Sequence, residues 1–140
     1  MQFDLSSIPA NAVVTSAHLD LYADSGSTTF GNGVAMYGVD NASYLRRITQ
    51  PWSQNGVTWN NQPTDTNTDQ VVLPTSTSPS QNYLNTDVTE LTQDMIASGN
   101  NGFMIEPVSS QPDNSMQFRN DNYPDSSYHP QLRVCYTTSS

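Results

Sequence analysis

From residue 12 to residue 22 the chain reads AVVTSAHLDLY, and this run narrows the choice of fold more than any other. Val13, Thr15, Ala17, Leu19 and Leu21 fall on one side of an extended strand, while Val14, Ser16, His18, Asp20 and Tyr22 fall on the other. Side chains on a strand point to alternate faces, so the first set forms the expected core face. Shorter runs of the same kind predict strands over residues 2–5, 34–39, 44–49, 70–73, 82–85, 103–106, 116–119 and 131–137. Loops rich in Gly, Pro, Asn and Ser divide them, as at 24–33 and 74–81. Many short strands with turns between them predict an all-β, two-sheet antiparallel sandwich of the jelly-roll or barrel type, folded as one domain over 1–140.

One segment departs from that period. Asp87 is placed to cap a helix over about 88–98, with Glu90 three residues on at capping-box spacing. Val88, Leu91 and Met95 or Ile96 line its apolar side, and Gly99-Asn100 stops it. A second landmark is PWSQNGVTWNNQP at 51–63, which holds the only two tryptophans, Trp52 and Trp59. Asn55-Gly56 signals a tight turn with positive φ, and Val57-Thr58-Trp59 a short strand. Burial of both indoles is the expectation in a chain only 34 % hydrophobic. The alternative is that they lie on the surface as a sugar-stacking platform.

Charge excludes several functions. There is no lysine, and four arginines face thirteen acidic groups for a net charge of −9, which argues against nucleic acid or an anionic membrane as partner. No run approaches a membrane span. The single cysteine cannot form an internal disulfide. A lysine-free surface rich in Thr, Asn and Ser suits an exported, extracellular or cell-surface protein.

Four segments, FDLSSIPANAVVTSAHLDLY, PWSQNGVTWNNQP, DVTELTQDMIASGNNGFMIEP and SYHPQLRVCYT, resemble the DNRLRE-type domain of secreted bacterial and archaeal proteins. That family includes alginate-binding modules attached to polysaccharide lyases. The resemblance implies a jelly-roll without enzymatic activity, appended or repeated in large extracellular proteins. Family members carry one or two strands before the FDLSSIP segment. The resemblance therefore implies a first strand that is trimmed here or supplied by another chain, leaving a sheet edge open to strand donation.

No catalytic set stands out. His18 and His129 lie near no nucleophile elbow, and Glu90 and Glu106 are the only glutamates. Asp65-Thr66-Asn67-Thr68-Asp69 opens like a calcium loop, but Gln70 and Ser76 stand where glycine and glutamate belong. Asp113, Asp121 and Asp125 form a second acidic group, so a structural calcium is an open expectation against solvated loop carboxylates. Carbohydrate binding is the leading function, with Tyr44, Arg46, Arg119, Tyr123 and Tyr128 as the expected ligand residues. Aromatic faces stack on sugars, and arginine grips a uronate carboxylate with two parallel bonds. The competing function is a structural module of an adhesin, stalk or filament, joined to other copies through an open sheet edge. Cys135 is expected as a small covered filler, facing outward with Arg133 only if Leu132, Val134 and Tyr136 face the core. Asn41-Ala42-Ser43 fits a glycosylation acceptor.

Overall fold

The computed structural model describes residues 1–23, 41–76, 81–108, 118–119 and 124–138. Six strands, β1 (Val13–Leu21), β2 (Ser43–Ile48), β3 (Asp65–Leu73), β4 (Tyr83–Asp87), β5 (Phe103–Pro107) and β6 (Gln131–Thr137), surround one helix, α1 (Thr89–Ser98). Among the described residues they form two three-stranded antiparallel sheets, ordered β4-β1-β6 and β3-β2-β5. This is the expected sandwich. The predicted strand at 34–39, and most of the one at 116–119, lies outside the described residues; Phe118 bridges to Ala23.

The core lies between the sheets. Ala17, Leu19 and Leu21 of β1 meet Leu45, Leu73, Phe103 and, from the helix side, Val88, Leu91 and Met95. The face expected for β1 holds only in its second half. Val14 is buried while Val13 is 58 % exposed and Thr15 is exposed, because the pairing with β6 slips between Val14 and Ser16. A bulge adds a residue to one strand and so reverses which side chains face inward beyond it. The helix supplies what the bulge disturbs. Gln93 Oε1 accepts the Val14 N–H at 2.8 Å and Thr89 Oγ1 accepts the Ala17 N–H at 3.1 Å.

The helix forms where its pattern predicts, with a different cap. Asp87 Oδ1 accepts from both the N–H and the hydroxyl of Thr89, which lowers the Asp87 pKa, and the Glu90 side chain is exposed. Gly99, at φ 121°, donates its N–H to Met95 O. A non-glycine residue is strained there.

The predicted strand at 2–5 is replaced by a single-residue pairing. Met1 and Phe103 exchange both backbone hydrogen bonds, at 2.7 and 2.8 Å, on the outer edge of β5. Phe3 packs edge-on against the Phe103 ring at 6.1 Å. This approach needs Gly102 at φ 89°, since a Cβ there would sit 2.2 Å from Met1 O.

Three further expectations are corrected. Asn41 is 1 % exposed and bonded both ways to Ser76, so its amide is no glycosylation acceptor. Cys135 is exposed, beside the equally exposed Arg133 on β6, and fills no core space. Val57-Thr58-Trp59 is not a strand; residues 59–61 form a 3₁₀ turn. Asn61 Oδ1 accepts from the Thr58 N–H and hydroxyl, and its Nδ2 reaches Gly56 O at 2.9 Å. A side chain that bonds the backbone locally in this way competes with strand pairing.

Candidate carbohydrate-binding groove

The Trp loop, residues 50–63, leaves β2 and returns to β3 through a closed neck. Thr49 N–H donates to Thr64 O at 2.8 Å, their hydroxyls meet at 2.6 Å, and Gln50 Oε1 accepts the Thr64 N–H. A loop whose ends are pinned this way projects as a compact unit. Its Asn-Gly turn is made without positive φ at either residue, with the Gly56 and Val57 N–H groups both donating to Ser53 O.

The two indoles have opposite fates. Trp52 is half-buried, and its Nε1 donates to Asn101 O at 2.6 Å, which ties the loop to the turn before β5. Trp59 is 83 % exposed, which overturns the expected burial of that ring. The reason is local. Asn61 holds the 3₁₀ turn closed and aims residue 59 away from the core.

Two hollows meet at Trp52. One, of about 830 Å³, runs from Met1 and Trp52 past Trp59, Gln62 and Pro63 to Met104, Glu106 and Pro107 of β5. The other, of about 760 Å³, lies between Met1–Asp4, Trp52, Gln54, Asn100, His129 and Pro130. Both are within the usual size of ligand clefts, and sharing Met1 and Trp52 makes them one elongated trough. Its walls combine exposed aromatic and aliphatic surface with neutral amides and hydroxyls and few charges.

The outer face of β3-β2-β5 adjoins this trough. Arg46 Nη1 contacts Glu106 Oε2 at 2.9 Å, its Nε donates to Gln70 Oε1 at 2.9 Å, and its guanidinium lies 4.7 Å from the Tyr44 ring centre. Asp65 Oδ2 approaches the same Nη1 at 3.8 Å, within ion-pair range but beyond hydrogen-bond reach, and this buried oxygen has no hydrogen-bond donor. Burial, followed by the neighbouring Asp65 carboxyl, pushes the Glu106 pKa up against the opposing pull of Arg46.

The five expected ligand residues divide between the sheets. Tyr44 and Arg46 are together beside the trough. Arg119 and Tyr128 are together elsewhere, with the Arg119 guanidinium 4.4 Å from the Tyr128 ring, Tyr128 edge-on to Tyr22 and the Arg119 N–H on Tyr22 O at the end of β1. Tyr123 lies outside the described residues. The sequence reading missed Glu106, Met104 and Gln62. The alternation of β5, with Phe103 and Ile105 inward and Met104 and Glu106 outward, is the signal that would have marked two of them.

The calcium-like stretch is built into β3. Pairing runs through Ile48–Asp65 and Arg47–Thr66, then resumes at Leu45–Val71, with Asp69 at φ 60° in the bulge between. Asp65 faces Arg46, whereas Asp69 adjoins Asp94, whose pKa is raised by burial and then by Asp69. Asp125 is an acceptor for Ser127. Asp113 and Asp121 lie outside the described residues. Among the described residues no three acidic, His or Cys side chains converge to hold a metal ion.

Comparison with known families bears directly on this trough. Residues 1–136 match the model for carbohydrate-binding module family 96. The chain belongs to that family. Modules of this kind are generally non-catalytic binding domains of extracellular proteins. No curated protein and no solved structure matches the chain. In this family-96 module no described helix is long and apolar enough to cross a membrane.

Proposed function

We propose that the module holds a polysaccharide chain along the trough centred on Trp52, with Trp59 as its main stacking surface. The exposure of Trp59 carries this reading. An indole left open to water has a cost that nothing inside the domain repays, and such surface marks a binding site. A pyranose presents a flat C–H face that covers an indole, while its hydroxyls need planar partners such as Gln62, Gln54, Asn100 and Glu106. A trough that continues on both sides of Trp52 suits several linked sugars better than one. The module thus serves as a targeting domain of a secreted or surface protein, with Tyr44 and Arg46 flanking the site.

Affinity electrophoresis in gels cast with a panel of polysaccharides tests this reading. At least one should retard the protein, and Trp59→Ala should weaken retardation tenfold or more without changing the melting temperature. Retardation that survives Trp59→Ala unchanged would remove the trough as the site.

A second reading, assembly through a sheet edge, is favoured by one observation. Met1 already pairs with Phe103 on the outer edge of β5, so this edge accepts an extended segment. Assembly of this kind predicts concentration-dependent oligomers by light scattering, and a monomer at high concentration would exclude it.

A further inference from the structure

We infer that the trough selects neutral polysaccharides and discriminates against polyuronates. The inference rests on the binding site proposed above and concerns which glycans it admits.

Recognition of a polyuronate requires cations free to meet carboxylates, ideally arginines offering both arms of the guanidinium. The chain has four arginines and no lysine, and all four arginines already face acids. Arg133 is bonded to Asp20. Arg47 acts on Asp94, and Arg119 lies over Tyr128 with its charge acting on Asp125. Arg46, the one beside the trough, has its Nη1 on Glu106, its Nε on Gln70 and its planar face near Tyr44.

Beside the trough the local balance is negative. Asp65 and Glu106 converge on the single Arg46 guanidinium, and Glu106 is itself a wall of the larger hollow. In the smaller hollow Asp4 lines the wall, and His129 is the basic side chain there. The other polar walls, Thr58, Gln62, Gln2, Gln54 and Asn100, are neutral donors and acceptors. A carboxylate such as Glu106 is a good acceptor for paired sugar hydroxyls, and it repels a uronate at the same distance. The domain's net charge of −9 opposes approach of a polyanion from farther away.

Calorimetric titration in low salt with chelator tests the inference, using neutral β-glucan, mannan and xylan fragments against alginate and polygalacturonate fragments of similar length. At least one neutral glycan should bind tenfold or more tightly than either polyuronate. Glu106→Gln should narrow that ratio by raising polyuronate affinity, and Asp65→Asn should do so less strongly. A polyuronate that binds as tightly as the best neutral glycan, with chelator or with added calcium, overturns the inference. If that binding is lost in Trp59→Ala, the trough remains the site and only the selectivity is wrong. If no glycan of either class binds, both readings fail.

Discussion

The outer faces of the two sheets are made from the same parts and arranged to opposite effect. On β4-β1-β6, Asp20 is 5 % exposed beneath Arg133 of β6 and also accepts the Asn85 N–H at 2.8 Å. That N–H comes from a slip between β1 and β4, where Asn85 takes φ 56°, so the carboxylate bonds a donor that the ladder would otherwise leave out. Burial pushes the Asp20 carboxyl up, but Arg133 and the Asn85 N–H together outweigh it and hold its pKa below the usual value. One carboxylate, one guanidinium and one amide close the group. On β3-β2-β5 two carboxyls share one guanidinium, an Asp65 oxygen has no donor, and the Glu106 pKa is raised. The first group is satisfied and far from any hollow. The second carries excess acceptor capacity beside the Trp loop, where a hydroxylated ligand could use it. Satisfied polarity locks strands together, and unsatisfied polarity at a groove is what a ligand completes.

Removing Asp20 should have the largest effect. Asp20→Ala is expected to cost about 2–3 kcal/mol of stability in urea denaturation, since it strands Arg133 and the Asn85 N–H; the partial exposure of Arg133 keeps the loss from being larger. Glycan binding should be unaffected. A loss below about 0.5 kcal/mol would show that the two sheets do not differ in this way. Asp65→Asn should act in the opposite direction. The amide brings a donor where two carboxyls crowd, and stability should rise by up to about 1 kcal/mol in the same assay.

A smaller effect of opposite slope is expected with pH. Asp20 has a lowered pKa, so the advantage of the natural protein over Asp20→Asn is present above the ordinary Asp range, near pH 4, and fades as pH falls through the depressed value. Glu106 has a raised pKa, so its contribution relative to Glu106→Gln is greatest below the ordinary Glu range and is lost as pH rises through the elevated value. Melting curves of the four proteins from about pH 3 to 8 should show the two differences running in opposite directions. Parallel slopes would contradict the contrast.

What could be read in the chain follows the same division. Alternation of period two located β2, β4 and β5 to within a few residues and β6 to its ends, because burial on one face repeats along the whole strand. The helix was legible from Val88, Leu91 and Met95. Bulges were not. The slips at Val14–Ser16, in β3 around Asp69 and in β4 at Asn85 depend on the partner strand, and the run AVVTSAHLDLY carries no mark of the first. The candidate site was half legible. Tyr44 and Arg46 share a face as alternation requires, but their engagement by Glu106 and Gln70 comes from neighbouring strands distant in sequence. Trp59 was misplaced because an aromatic after a β-branched pair reads as a strand, whereas the side chain of Asn61 decides otherwise.

The most direct test of the trough uses the natural protein and its two indoles. In a nitrogen–proton correlation spectrum, each indole N–H gives one cross-peak, assigned through Trp59→Phe. Titration with a retained polysaccharide fragment should move the Trp59 peak strongly and in proportion to saturation, with a smaller change at Trp52, whose N–H stays on Asn101 O. A Trp59 peak that stays in place when the protein is saturated with glycan would contradict the account.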